Sequence, residues 1–244
     1  MPFAYPVMLQ LDGARAVVIG EGAVRGGKPE GLLAGGATDV LVVATTPAAR
    51  LDELEATAGV RVARRAWRPE DLEGATICVA WSARAEVRAA IARAARDRGV
   101  LVNVMDDVPN CDFAAPAVVR RGELLVAIGT GGASPTLAGR LREELAERYG
   151  DHWTEILEIL REIRESTLPL LPDLTERSRR WRIALDVEEA EKLVREGLGD
   201  ELRERLRTRL VGGTQGTLGA DVPAADVQGA GASAGTDGTT GVRA

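Results

Sequence analysis

The sequence is poor in aromatic residues, cysteines and histidines. Phe, Trp and Tyr together make up 3% of the 244 residues, whereas all hydrophobic residues make up 45%, so the core has to be mainly aliphatic. The two cysteines, Cys78 and Cys111, form no C-x-x-C pair, and His152 is the only histidine. We therefore expect two reduced thiols and no permanent metal site, because no His/Cys cluster has the spacing of metal ligands.

The sequence also lacks strong positive charge, a long apolar run and the pattern of a secretory leader. The formal net charge of −6 argues against a general nucleic-acid-binding protein. No apolar run approaches the roughly 18 residues that a membrane-spanning helix needs. No basic segment followed by an apolar one opens the chain. We expect a soluble, cytoplasmic protein that binds neither nucleic acid nor membranes.

Short apolar runs alternate with helical patterns up to residue 106. The runs that predict strands cover residues 14–20, 39–44, 60–66, 75–81 and 100–106. Helical patterns cover about 24–34, 48–59 and 85–99, the first weakened by several glycines and a proline. This alternation predicts an α/β domain with a largely parallel, Rossmann-like sheet. Loops that follow Ile19, Ala44, Trp81 and Val104 should then share one ligand-binding crevice.

The pattern changes after residue 112. Residues 115–132 predict two strands joined at Arg121-Gly122, followed by a helix over 134–150 with Ser134 as N-cap and Pro135 at its first position. Further helices are predicted over about 153–166, 174–185 and 187–210, with Gly197 to Gly199 as a candidate break. Beyond residue 211 the composition of Gly, Ala, Thr, Ser and Asp predicts a disordered tail.

The loop after the first predicted strand contains Gly20-x-Gly22, the start of a dinucleotide-binding fingerprint. In such a loop the first glycine permits a tight turn, the second admits the pyrophosphate, and a third small residue lets the helix approach the sheet. Arg25 stands where the third small residue is expected. The pattern by itself leaves both a dinucleotide site and a purely structural turn open. Thr45 and Thr46 follow strand two in place of a ribose-binding acid, so NAD and NADP also remain open.

Several short sequence segments, taken in their order along the chain, carry a family resemblance. They are "YPVMLQLDGARAVVIGEG", the loop lysine Lys28, "GLLAGGA", "VNVMDD" and "CDFAAPAVVRRGELLVAIGTGGASPTLAGRLREEL". Together they resemble the family of precorrin-2 dehydrogenases and sirohydrochlorin ferrochelatases, which includes the N-terminal module of siroheme synthase. The resemblance is strong over residues 3–150 and loose to about 210. It implies an NAD-binding Rossmann-like domain (1–112), a small α+β central dimerisation segment (113–150) and a C-terminal helical domain (151–211) before the tail (212–244).

The activity implied by this resemblance is the NAD-dependent removal of two hydrogens from precorrin-2, which gives sirohydrochlorin in siroheme biosynthesis. Some members also insert Fe²⁺ into sirohydrochlorin, and the family implies a homodimer. Three alternatives stay open: a chelatase without dinucleotide binding, a non-catalytic tetrapyrrole-binding homologue, and a Rossmann oxidoreductase for another substrate.

Asp106 falls where the family has its essential aspartate. Its position at the carboxyl end of a predicted strand suits a carboxylate that accepts a proton from the macrocycle. On the residues alone, a turn or N-cap aspartate ahead of Pro109 is the favoured interpretation, and only the resemblance reverses it. Asp107 is the lesser candidate of the pair.

The resemblance also implies two sets of binding residues. The cofactor set is Gly20, Gly22, Ala23, Val24, Thr45, Thr46, Ala80 and Asn103. The set for the substrate carboxylates is Thr130, Gly131, Gly132, Ser134, Arg120 and Arg121. For the two arginines, a solvated face or a salt bridge in a dimer remains an alternative.

The sequence departs from the family pattern at several of these places. Arg25 replaces a small residue, Gly27 replaces an arginine, Trp81 follows strand four, and Gly129 replaces a serine. Trp81 could either crowd or stack on a nicotinamide, and Arg25 could either splay its helix from the sheet or extend outward along its aliphatic stem.

Overall fold

A computed structural model describes residues 5–212 of the chain. Its centre is a five-stranded parallel sheet in the order β3-β2-β1-β4-β5. The strands are β1 (Arg15–Ile19), β2 (Asp39–Val43), β3 (Val60–Ala63), β4 (Ile77–Ala80) and β5 (Leu101–Val104). All five strands predicted from the apolar runs are confirmed, and each strand is shorter than its predicted run. The fold class expected from the sequence is correct.

The sheet is aliphatic and covered on both faces. Alternate residues of β1 enter two separate cores, Val18 on one face and Val17 on the other, and both are fully buried. Burial on both faces explains why these strands appear in the sequence as continuous apolar runs instead of alternating ones. The chain continues from β1 to β2 on one side and returns to β4 on the other, so a ligand is expected to bind above the carboxyl ends of β1 and β4.

The helix predicted over 24–34 is two helices. α1 (Glu21–Arg25) ends at Gly26, and α2 (Lys28–Ala34) begins after Gly27, whose φ of 66° is left-handed. Glycine adopts this conformation without the steric cost that a side chain would impose. The remaining helices of this region, α3 (Ala48–Glu55) and α4 (Ala85–Arg96), agree with the predicted patterns.

An antiparallel hairpin follows the parallel sheet. β6 (Ala117–Arg121) pairs with β7 (Leu124–Ile128), with Arg121 opposite Leu124 next to the turn. α5 (Pro135–Arg148) comes next, and its N-terminus is capped as predicted, because Ser134 Oγ accepts the Leu137 N–H at 3.1 Å.

The remaining helices are α6 (His152–Thr167), α7 (Leu174–Ala184), α8 (Val187–Arg195) and α9 (Gly199–Val211). The candidate break near Gly197 is present, and Gly197 has a φ of 74°. Contacts divide the chain into two compact units, one ending at Leu157 and the other beginning at Glu158. The hairpin and α5 belong to the first unit.

Among residues 5–212, no helix is long and apolar enough to cross a membrane. The tail predicted over 212–244 lies outside the described residues, apart from Gly212 at the end of α9.

Candidate functional site

The loop after β1 is held tightly against the loop after β4. The Trp81 N–H donates to the Ile19 carbonyl oxygen at 2.8 Å, which continues the pairing of the two strands by one residue. Gly20 has a φ of 91°, and a Cβ placed on it would lie 2.1 Å from the Trp81 carbonyl oxygen. Both the conformation and the space therefore require glycine at position 20.

The second glycine of the loop faces the Trp81 indole. A Cβ on Gly22 would lie 2.3 to 2.8 Å from three ring atoms of Trp81. Trp81 is half-buried and packs against the core that contains Val18 and Val24. The indole thus covers the glycine face that a dinucleotide fingerprint keeps small so that a pyrophosphate can approach.

Arg25 does not separate the helix from the sheet. It is exposed, whereas its neighbours Ala23 and Val24 are fully buried. Gly26, which follows α1, lies beside the loop after β5, since a Cβ there would lie 3.3 Å from Met105 Cε. The helix therefore packs on the sheet through Ala23 and Val24, and Arg25 lies outside this buried face.

The loop after β2 is linked to α1 by a hydrogen bond. Thr46 Oγ1 donates to Glu21 Oε2, while Thr45 is exposed. The acid that commonly follows strand two in NAD-binding folds is missing from the sequence there, but Glu21 brings a carboxylate to the same loop from α1. The contact of the Glu21 side chain with this loop could not be predicted from the sequence.

Asp106 lies in the loop after β5, at the same edge of the sheet as Gly20 and Trp81. The preceding residue, Met105, donates its N–H to the Ala80 carbonyl oxygen at 2.9 Å, so this loop runs beside the end of β4. Asp106 is exposed and has a φ of 62°, the one non-glycine left-handed residue among those described. Such a backbone is unfavourable for most side chains and is found disproportionately at functional sites.

Arg88, on α4, joins the loops after β4 and β5. Its Nε donates to Asp107 Oδ2 at 2.7 Å, and a terminal nitrogen donates to the Ser82 carbonyl oxygen at 2.9 Å. Asn110 Nδ2 donates to the same carboxylate at 3.1 Å. The hydrogen bond from Arg88, followed by that from Asn110, lowers the pKa of Asp107. Asp107 therefore holds the turn that carries Asp106, and sequence reasoning missed Arg88.

Asn103 and Cys111 tie β5 to the segment that follows it. Asn103 Nδ2 donates to the Phe113 carbonyl oxygen at 2.8 Å. Cys111 Sγ accepts the Val104 N–H at 3.2 Å, and burial raises the pKa of this thiol. The amide of Asn103, predicted to line the cofactor pocket, is thus engaged in an internal contact. Ala80 is fully buried and offers only backbone atoms.

The predicted carboxylate-binding loop is a turn that leads into α5. Thr130 Oγ1 donates to the Ser134 carbonyl oxygen at 3.2 Å and accepts the Ser134 N–H at 3.3 Å. Gly131 and Gly132 between them have φ values of 61° and 85° and are exposed. Their exposed backbone and the N-terminus of α5 form an anion-attracting end of the helix.

The two predicted arginines differ in their surroundings. Arg121 donates to the Ala146 carbonyl oxygen at 3.1 Å, and its Nε lies 3.2 Å from Asp151 Oδ1. Arg120 is exposed on β6. Arg121 thus holds the hairpin to the end of α5 and the turn beyond it, which leaves Arg120 as the more accessible cation. No group of three or more His, Cys, Asp or Glu residues within 5–212 is arranged to hold a metal ion.

Comparisons with known proteins agree with this arrangement. Residues 7–117 match the sequence family described as putative NAD(P)-binding, and residues 121–148 match the family described as sirohaem biosynthesis protein central. The solved structure of SirC, a precorrin-2 dehydrogenase, is similar with a TM-score of 0.55 and 28% identity, over 85% of this chain and 97% of that chain.

Siroheme synthases are among the similar curated proteins. That of Methylococcus capsulatus is 33% identical over 76% of this chain and 39% of its own length. That of Chromobacterium violaceum is 31% identical over 88% of this chain and 46% of its own length. The chain thus spans less than half the length of these relatives. It belongs to the family of precorrin-2 dehydrogenases and sirohydrochlorin ferrochelatases that includes the N-terminal module of siroheme synthase.

Proposed function

We propose that this chain catalyses the NAD-dependent dehydrogenation of precorrin-2 to sirohydrochlorin, a step in siroheme biosynthesis. The observation that carries the proposal is the shared edge of the sheet, where the Gly20 loop and the exposed carboxylate of Asp106 flank the ends of β1, β4 and β5. Similarity to a precorrin-2 dehydrogenase over 97% of that protein's chain supports it.

The residues at this edge fit a dinucleotide in two respects. Gly20 forms the tight turn between β1 and α1, and the first backbone amides of α1 point toward the crevice end of the sheet. Glu21 places a carboxylate beside Thr46, where it suits ribose hydroxyl groups and repels a 2′-phosphate. We therefore propose NAD over NADP, with Gly20, Gly22, Ala23, Val24, Thr45 and Thr46 around it.

The reaction removes one hydride and one proton from the substrate. Bound NAD supplies the hydride acceptor. Asp106 accepts the proton through its carboxylate, and the left-handed backbone at this residue keeps the side chain exposed at the strand end. A positioned general base of this kind contributes roughly 10²- to 10⁴-fold to a rate.

The carboxylates of the tetrapyrrole need cationic or amide partners. We assign this role to Arg120, to the backbone of Thr130, Gly131 and Gly132, and to Ser134 at the N-terminus of α5. Arg121 acts indirectly, since its guanidinium holds the hairpin.

A homodimer is part of the proposal, with the segment 113–150 as its dimerisation region between domains 1–112 and 151–211. The hairpin supports it, because the apolar side chain of Val118 on β6 is 38% exposed. A cytoplasmic location is also proposed, in keeping with the free thiols of Cys78 and Cys111.

The test is an assay of the purified protein with enzymatically prepared precorrin-2. We expect NADH and sirohydrochlorin to appear together in equal amounts with NAD, and at a much lower rate with NADP. Failure to form sirohydrochlorin with either cofactor, under conditions in which a siroheme synthase does so, contradicts the proposal.

A second candidate is a chelatase that inserts Fe²⁺ into sirohydrochlorin, either in addition to dehydrogenation or instead of it. The contact of the Trp81 indole with Gly22 favours the chelatase-only form, because it covers part of the cofactor loop. In this reaction Asp106 accepts pyrrole protons as the metal enters. Insertion of Fe²⁺ into supplied sirohydrochlorin without NAD tests it, and an unchanged absorption spectrum of sirohydrochlorin contradicts it.

A further inference from the structure

We propose that the Trp81 side chain is a gate on the cofactor site, so that the indole and the dinucleotide pyrophosphate compete for the same face of Gly22. The inference rests on the proposed function, since it concerns the NAD site of that reaction. It makes Trp81 a residue that sets cofactor affinity.

The first step of the argument is the closeness of the contact. A Cβ on residue 22 would lie only 2.3 to 2.8 Å from three ring atoms of Trp81, so not even a methyl group fits between Gly22 and the indole. A phosphate group is larger than a methyl group. A pyrophosphate that approaches the backbone of Gly22, as the second fingerprint glycine permits, therefore has to displace the indole.

The second step is that the indole can move while the backbone stays. The Trp81 N–H is fixed to the Ile19 carbonyl oxygen at 2.8 Å, and the Trp81 carbonyl oxygen is held close to Gly20. The side chain, by contrast, is only half-buried. Rotation about its χ1 angle exchanges one staggered rotamer for another without breaking the strand pairing.

The third step concerns what surrounds the indole. On α1, Glu21 precedes Gly22 and points to Thr46, while Met105 packs beside Gly26 on the same side of the helix. Met105 is unbranched and adaptable, so it can follow the indole or fill part of the space it leaves. The closed position is stabilised by apolar packing against the core that contains Val18 and Val24, and its population reduces the apparent affinity for NAD.

The experiment measures binding of NAD⁺ itself by titration calorimetry to wild type, Trp81→Phe and Trp81→Ala. If the open state is about one tenth of the population, removal of the indole raises NAD⁺ affinity about tenfold, with Trp81→Phe between the two. Trp67→Ala is the matched control, because Trp67 is also half-buried but packs against the core on the other face of the sheet. Its affinity for NAD⁺ should equal that of wild type.

A second measurement does not depend on the stability of Trp81→Ala. In a variant with Trp67, Trp153 and Trp181 all replaced by Phe, Trp81 is the only tryptophan, so the tryptophan emission reports on it alone. We expect its emission to move to longer wavelength on addition of NAD⁺, because the indole leaves its apolar contact. No shift at saturating NAD⁺ overturns the gate.

The outcomes separate this inference from the proposed function. Equal or weaker NAD⁺ binding by Trp81→Ala overturns the gate but leaves dehydrogenation intact if wild type forms NADH from precorrin-2. NAD⁺ binding by Trp81→Ala with none by wild type supports the gate and contradicts NAD-dependent activity of the wild-type chain. An absence of NAD⁺ binding in all variants overturns both.

Discussion

Two loops at the same edge of the sheet differ in how they are held. The loop after β1 is closed by apolar packing, since Trp81 covers Gly22 and Met105 approaches Gly26. The loop after β5 is braced by charge, because Arg88 binds Asp107 and the Ser82 carbonyl oxygen together. Apolar packing covers the Gly22 face of the first loop, whereas Asp106 on the second loop, beside the ion pair, stays exposed.

The difference shows how a fingerprint can diverge without loss of the fold. Trp81, from the loop after β4, packs on Gly22, while β1, its glycine turn and α1 keep the strand-loop-helix geometry. In the proposed reaction the loop after β5 cannot be closed in this way, since the Asp106 carboxylate has to reach the substrate. Four changes test this contrast, in order of decreasing expected effect.

The largest effect is expected from Asp106→Asn. Asparagine also tolerates a left-handed backbone, so the turn at φ 62° should persist while the proton acceptor is lost. We expect kcat for sirohydrochlorin formation to fall roughly 10²- to 10⁴-fold, with NAD⁺ affinity unchanged. Asp97→Asn, an exposed aspartate just after α4 at the opposite edge of the sheet, is the control. A kcat within twofold of wild type would exclude Asp106 as the base.

The next effect is expected from Arg88→Ala. This change leaves the Asp107 carboxylate, only 13% exposed, without its cation and the Ser82 carbonyl oxygen without its donor. We expect the free energy of unfolding to fall by about 2 to 3 kcal/mol and kcat to fall with it. Urea denaturation measures the first, and Arg93→Ala, an exposed arginine on the same helix, is the matched control. If Arg88→Ala and Arg93→Ala were equally stable, the ion pair between Arg88 and Asp107 would not stabilise the loop.

A smaller effect on stability is expected from Gly22→Ala, and its sign should depend on whether Trp81 is present. In wild type the new methyl group collides with the indole, and overpacking of this kind costs about 1 to 3 kcal/mol. In the Trp81→Ala background the collision is gone, and the better helix propensity of alanine contributes about 0.5 to 1 kcal/mol. Gly22→Ala should therefore destabilise wild type and stabilise Trp81→Ala. Thermal unfolding of the four proteins measures this cycle, and additive effects would mean that the indole does not lie on Gly22.

The smallest effect is a dependence of stability on pH. Arg88 and Asn110 lower the folded-state pKa of Asp107, so this carboxylate stabilises the fold above its unfolded-state pKa of about 4. The stabilisation is lost as the pH falls through the lower folded-state value. The difference in Tm between wild type and Asp107→Asn should therefore be constant near neutrality and shrink below about pH 4. A difference that grows on acidification would contradict the assigned shift.

The parallel sheet could be predicted because strands with both faces buried leave continuous apolar runs, such as Ala14 to Gly20. The order of its strands was not predicted and came from the structure. The capping of α5 by Ser134 was equally clear, since its signals are local in sequence. The division of the first helix into α1 and α2 was not predicted. The two helices are separated by the pair Gly26-Gly27. One continuous helix could also have tolerated this pair, so the sequence alone did not predict the break.

The candidate site could be predicted only in part. Asp106 was placed correctly at a strand end, because strand ends can be read from the runs. Arg88 was missed, since an arginine on an amphipathic helix normally faces solvent and its acceptors are on two other loops. The effect of Arg25 also stayed open until the structure showed Ala23 and Val24 buried and Arg25 exposed.

The sequence by itself determined the α/β architecture, the glycine turn after β1 and the position of an aspartate after β5. These depend on periodicity and on the conformational limits of single residues, which act over a few positions. Only the tertiary structure decided that Trp81 lies on Gly22 and that Arg88 holds the turn beside Asp106. Such contacts join residues from separate loops, and they exist only once parallel strands bring those loops to one edge.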